Sequence, residues 1–270
     1  MNSFIAKRPW LPYVAPFGVY MVFLTLQSRW EQGLVWLYPL KTIAVAATLL
    51  TFGRCYEELH VSLGRKRSAS AKTSPAGASI QPGAEPPAGR WVGWLLSVAV
   101  GLVVIGIWIG IDPYYPKLNE LMAVAERFLG VLWHQKPTAT PAPTPPFDPF
   151  TLGSAASTWT FIIFRVVGAV VVVPVMEELF WRGFLIRWLI NEDFKKVPVG
   201  TVSWSSFAIT VAMFGAEHNE WVTGLIAGAL YNWLLYRRKN VFWCVVAHAV
   251  SNAVLAAWVL THQPQGWKFW

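Results

Sequence analysis

Residues 155–189 read AASTWTFIIFRVVGAVVVVPVMEELFWRGFLIRWL, and this stretch decides the fold. About 20 apolar residues of helix cross the hydrocarbon core of a bilayer. The run is longer than that, and two adjacent acids and an arginine interrupt it near its end. Pro174 lies inside it, so a kink, or the meeting of two helices, is expected there. Outward from this stretch, further apolar runs occupy 9–27, 34–53, 91–111, 201–217, 221–236 and 240–261. The pattern predicts an all-α, polytopic helical membrane protein with about seven transmembrane helices.

Composition points the same way. Of 270 residues, 55% are hydrophobic and 13% charged, against about 25% charged in a soluble domain. Mean hydropathy is +0.42, and the 17 Trp suit the headgroup zone, where an indole is half buried and half hydrogen-bonded. The formal charge of +8 resides in loops between apolar runs, which reads as a topology signal and excludes nucleic acid as the expected partner. Lys7 and Arg8, the 54–90 segment with Arg54, Arg65, Lys66, Arg67, Lys72 and Arg90, the pair Lys195–Lys196, and the run Arg237–Lys239 all fit one topology. It is N-in and C-out, in the inner cell membrane with lipids as neighbours. The first apolar run is too long for a signal peptide's core and reads as a retained span. Cys55 and Cys244 make no disulfide framework, and Cys244 should simply pack.

The chain divides into four parts. Residues 1–111 form a transmembrane anchor, with a basic, disordered cytoplasmic linker at 54–90. Residues 112–150 hold an amphipathic interfacial helix (115–134) and a Pro-rich strut (137–150) on the outer side. Residues 151–261 form a compact helical core, and 262–270 a polar aromatic tail.

Ionisable groups inside a span are costly, so their presence asks for a function. Glu178 and Arg182 are four apart on one helical face, which leaves Glu177, about 100° away, free for another task. Phe214 and His218 end the fifth span, and His248 and Asn252 share a face of the seventh. Converging, these helices would surround a pocket for one water and one peptide carbonyl. Two chemistries fit. In one, Glu177 takes a proton from a water shared with His218, while His248 and Asn252 donate to the oxyanion. In the other, Glu177, His218 and His248 hold a divalent metal such as zinc that activates the water. His60, His134 and His262 should be solvated. Lys41 and Arg165 should snorkel or pair internally, Glu217 and Glu220 should rim the cavity, and Arg187 should meet headgroups.

EExxxR (Glu177, Glu178, Arg182), FxxxH (Phe214, His218) and HxxxN (His248, Asn252), in this order, resemble the CPBP family. These are the CAAX-protease and bacteriocin-processing membrane enzymes, also called Abi. The run EELFWRGFL (177–185) is close to that family's signature helix, and the resemblance covers roughly 155–260. It implies an Abi-like intramembrane peptidase with Glu177 as base, His218 as its partner and His248 with Asn252 at the oxyanion. Glu178 and Arg182 would hold the site, and the substrate would be a peptide or protein tail. The layout also resembles a bacterial subgroup found beside exosortase-type protein-sorting systems. Two other classes compete. One is an idle scaffold or immunity protein of the same fold, for which an intact base has no use. The other is a proton-coupled transporter, for which the sequence shows no inverted repeat.

Overall fold

The structure, a computed structural model, describes residues 5, 7–30, 33–59, 87–132 and 147–269. Among these, all regular structure is helical. The helices are α1 (Leu11–Arg29), α2 (Leu34–Thr51), α3 (Pro87–Ile111), α4 (Leu118–Leu132), α5 (Ala155–Trp188), α6 (Trp204–Ala216), α7 (Trp221–Arg238) and α8 (Val241–Thr261). Most of the expected linker, most of the proline-rich strut, His60 and His134 lie outside the described residues.

Local chemistry sets the ends. Ser154 and Asn240 accept the Ser157 and Phe242 amides at the starts of α5 and α8, satisfying donors that an open helix start leaves unpaired. Lys239 ends α7 in the left-handed region at φ 50°.

Five helical stretches are long and apolar enough to cross a membrane among the described residues, where the hydropathy reading expects about seven spans. The other two expected spans fall on α6 and α7, which do not meet that length and hydropathy. With 13 residues, α6 is about 20 Å long, and His218 follows just beyond its end, partly buried. In α7, Thr223 and Asn232 are buried polar residues that dilute its hydropathy.

Of the two outcomes expected at Pro174, two separate helices are not seen: α5 is one continuous helix, 34 residues long. Gly168–Val172 form a π-turn just before the proline and Leu179–Leu185 a second one around the acidic motif. The first wider turn accommodates the missing N–H and the ring of Pro174 within a continuous helix.

The N-terminal helices pack into the same bundle as the rest. Phe17 of α1 stacks on Phe180 of α5 with ring centroids 4.0 Å apart. At the α3–α8 crossing, a Cβ added to Gly101 would stand 2.5 Å from the Ala247 carbonyl oxygen. Only glycine permits that approach, and close backbones are how membrane helices gain packing.

The basic loops converge at one end of the bundle. Glu58 pairs with Arg187 and Lys195 and accepts from Tyr13, while Arg238 donates to the Gly89 carbonyl. Arg187 is therefore buried in an ion pair and also donates to the Gly183 carbonyl, in place of the headgroup contact read from the sequence. At the opposite end Asp112 pairs with Lys117 and Lys268, and α4 is tied down by the Leu118 amide donating to Asn219. Leu121, Met122, Val124 and Phe128 remain exposed along α4, as an interfacial helix requires.

Burial alone would raise the Glu58 carboxyl, but the Arg187 and Lys195 charges outweigh it and hold it below the usual carboxylate range. A depressed folded-state value stabilises the fold above that range and loses its effect as pH falls through it. Thermal midpoints across an acid series should thus fall further for the wild type than for Glu58→Gln. The gap should be on the order of 1–2 kcal/mol, several degrees.

Candidate active site

Arg182, in the second π-turn of α5, and Glu178, just before it, are both fully buried, with Nη1 donating to Glu178 Oε1 at 3.1 Å. The other arms of the guanidinium are also committed. Nε donates to Asn232 Oδ1 at 3.0 Å and Nη2 to the Gly228 carbonyl at 3.2 Å, both on α7. The Phe214 ring lies under the guanidinium, 4.5 Å away. Asn232 in turn donates to Thr210 of α6 at 2.9 Å. A buried charge needs such complete pairing, and here it locks α5, α6 and α7 together. A Cβ on Gly224 would stand 3.0 Å from the Gly215 Cα, so α6 and α7 meet closely beside His218.

His248 Nδ1 donates to the same Glu178 oxygen at 2.9 Å and its ring stacks on Tyr231, centroids 5.2 Å apart. Tyr231 is held by Ser251 at 2.6 Å. His218 Nδ1 donates to the Phe214 carbonyl at 2.7 Å, and Trp108 meets its ring edge-on at 5.3 Å. With Nδ1 committed, each neutral imidazole presents a bare Nε2, able to accept a proton. With a proton on Nε2, His248 becomes a donor there.

Asn252 has a duty that follows from Pro174. The Val173 amide bonds to the Gly168 carbonyl across the π-turn. The Ala169 carbonyl thereby loses its α-helical donor, and the next candidate, residue 174, is a proline without an N–H. Asn252 Nδ2 fills that gap at 2.8 Å. One amide hydrogen is thus committed and the second is left for a ligand. Asn252→Leu should orphan the Ala169 carbonyl at about 1–3 kcal/mol. Pro174→Ala in the same chain should recover part of that loss, because it restores an N–H. Thermal unfolding of the two single variants and the double variant in detergent reads this coupling.

Glu177, Phe214, His218, His248 and Asn252 all line one cavity of about 240 Å³, between α3, α5, α6, α7 and α8. All the expected contact residues are thus brought together, with Glu178 and Arg182 in the wall behind. Glu177 is 4% exposed and its Oε2 has no protein partner. Glu220 lines the cavity, and the Glu217 oxygens are buried near it rather than at an open rim. The sequence reading missed the Glu178–His248 bond, the Asn232 brace and Phe269, by which the C-terminal tail reaches the cavity wall. Asn232 alone had a signal, as an amide inside an apolar run.

The metal alternative does not fit this donor set. Among the described residues no three His, Cys, Asp or Glu side chains are gathered as a metal ion requires. Glu177, His218 and His248 share the cavity but are not disposed as one ligand set, so no step below passes through a metal.

An all-helical membrane bundle with carboxylates and imidazoles around a buried cavity holds the groups that hydrolysis inside a membrane requires. Residues 158–254 match the family model described as type II CAAX prenyl endopeptidase Rce1-like. That match spans every residue of the three motifs and bears out their CPBP resemblance: over this stretch the chain is similar to the CAAX-protease membrane core. Comparison with curated proteins and with solved structures gives no match.

Proposed function

We propose that this chain is an intramembrane endopeptidase of the cell membrane that hydrolyses a peptide bond in a membrane-associated or lipid-linked protein tail. The observation that carries the reading is the shared cavity. Glu177, His218, His248 and Asn252 reach it from three helices, with Glu178 fixing the tautomer of His248 from behind.

In the reaction, a water held between the Glu177 carboxylate and an imidazole Nε2 attacks the carbonyl carbon as Glu177 takes its proton. The new C–O bond pushes charge onto the carbonyl oxygen. That oxygen is met by the second Asn252 hydrogen and by Nε2–H of His248 in its protonated form. The C–N bond then breaks, and the amine leaves with the proton that Glu177 had taken. Apolar walls including Val104, Ile105, Phe214 and Leu255 keep bulk water out and strengthen each of these charge contacts. The basic end of the bundle faces the cytoplasm by the positive-inside pattern, and the seven-traverse topology follows.

The test compares membrane and secreted peptides from cells carrying the wild type or Glu177→Gln at matched expression. The expected result is a protein tail trimmed only in the wild type. An unchanged peptide map would instead favour an idle scaffold of the same fold.

A further inference from the structure

The residues that line the cavity are unevenly placed along their helices. α3 and α8 run away from the basic end of the bundle, and they line the cavity from Val104 to Trp108 and from His248 to Ala256. α7 runs toward the basic end and lines it with Ala227 and Tyr231. Tyr231 and His248 come closest to that end, and each is still about two helical turns, or 10 Å, short of it. Those two turns are packed. Trp181 and Phe184 of α5, Leu234 and Leu235 of α7, and Val241 and Cys244 of α8 are all buried. Beyond them Tyr13, Tyr56, Phe184 and Phe194 meet edge to face, and the Glu58 ion pairs close the end.

The opposite end is built differently. There the α6–α7 turn, 217–220, carries two side chains that each border two spaces. His218 lines the cavity and also a crevice against Leu118 and Met122 of α4. Glu220 lines the cavity and also a recess of about 730 Å³ at the α3–α4 turn. Asp112, Lys117, Asn119, Glu120, Asn219 and Lys268 wall this recess, and Asn119, Glu120 and Asn219 are exposed. Charged and amide side chains are costly in hydrocarbon, so a space lined by them suits water and not lipid. The α3–α4 turn is pinned beside it. The Leu118 and Asn119 amides donate to Asn219 at 2.9 and 3.1 Å, and Trp221 Nε1 donates to the Pro116 carbonyl at 3.1 Å.

Resting on the protease reading and its topology, we propose that peptide and water enter the catalytic cavity through this recess, and that the substrates are protein segments presented at the outer face of the membrane. The basic loops mark the cytoplasmic side by the positive-inside pattern, which puts the recess outside. A peptide entering there passes Glu220 and His218 before it reaches Glu177 and Asn252. The tail supplies part of the wall, with Lys268 held by Asp112 at the recess and Phe269 at the cavity. Lateral entry from lipid between two helices is the competing route. The recess is favoured because its polar lining is continuous with the cavity through Glu220, and the neighbouring crevice joins it through His218.

The test reads access and cleavage separately, with the full-length protein in right-side-out and inside-out membrane vesicles. Leu255→Cys puts a thiol on the cavity wall, in a Cys55→Ser background where the native Cys244 is fully buried. The probe is a small, charged, membrane-impermeant methanethiosulfonate. Lys196→Cys in the same background reports the sidedness of the basic end. Modification of Leu255→Cys should be at least about tenfold faster from the outer face, because thiol reaction follows access. Adding Asn219→Trp, which fills the mouth of the recess, should slow it, and Lys196→Cys should react from the inner face alone. Independently of any cysteine variant, the wild type should cleave a synthetic copy of the tail trimmed in cells when the peptide is added outside and not when it is added inside. Faster modification of Leu255→Cys from the inner face overturns the entrance, and reaction of Lys196→Cys from the outer face overturns its sidedness. A Leu255→Cys thiol that resists the charged reagent on both faces but reacts with a lipid-soluble maleimide also overturns it, and assigns entry to the bilayer. Outer-face modification with no peptide cleavage by the wild type would uphold the entrance and remove the protease reading instead.

Discussion

Glu177→Gln should lower the rate constant for cleavage by about 10²–10⁴, the usual contribution of a positioned general base. The amide keeps the shape and hydrogen-bonding reach of the acid but cannot take the proton of water. Peptide affinity should change little, because the lost interaction belongs to the transition state. The fold should not suffer either. Glu177 is 4% exposed and one carboxylate oxygen lacks any protein partner, so neutralising it removes a burial cost and the thermal midpoint should hold or rise. Single-turnover cleavage and thermal unfolding on the same preparation read both halves. A variant that lost activity only because it lost its fold would contradict the assignment.

The second large effect belongs to the charge beside it. Arg182→Met should destabilise by about 3–5 kcal/mol, the cost of leaving a buried carboxylate without its cation. It also orphans the Asn232 side chain and the Gly228 carbonyl, which Arg182 serves in the wild type. Glu178→Leu alone should cost a similar amount by stranding the guanidinium. The double variant, Glu178→Leu with Arg182→Met, should be more stable than either single one, since both charges leave together. Its activity should nevertheless stay low, because His248 has lost the acceptor that holds its Nδ1. Stability and activity therefore part company in the double variant, which separates Glu178 as a clamp from Glu178 as a positioning residue for His248.

Much of this arrangement was legible in the chain. Long apolar runs with few charges gave helices, and several of the charges that remained inside them line or back the candidate cavity. The four-residue steps from Glu178 to Arg182 and from His248 to Asn252 placed each pair on one face, and the shared cavity follows from those faces converging. The bond between Glu178 and His248, 70 residues apart, was beyond periodicity, because both residues already had nearer partners by spacing. The role of Asn252 toward Ala169 depends on a π-turn, and no local pattern announces one. A proline in an apolar helix raised the right question, and the answer includes a widened turn and a borrowed amide from Asn252. Likewise Arg165 and Lys41 looked like isolated cations in separate spans until the packing of α2 against α5 set both against the Tyr38 ring, with Arg165 on the cavity wall.

The central claim, that Glu177 activates a water for peptide hydrolysis, is tested most directly by isotope transfer. The tail trimmed in cells would be incubated with the purified protein in H₂¹⁸O, and the new C-terminus analysed by mass spectrometry. A single ¹⁸O in the fresh carboxylate with the wild type, and none with Glu177→Gln, is the predicted result. Cleavage of the tail with equal labelling by both proteins would contradict the account, since the water would then be activated without Glu177.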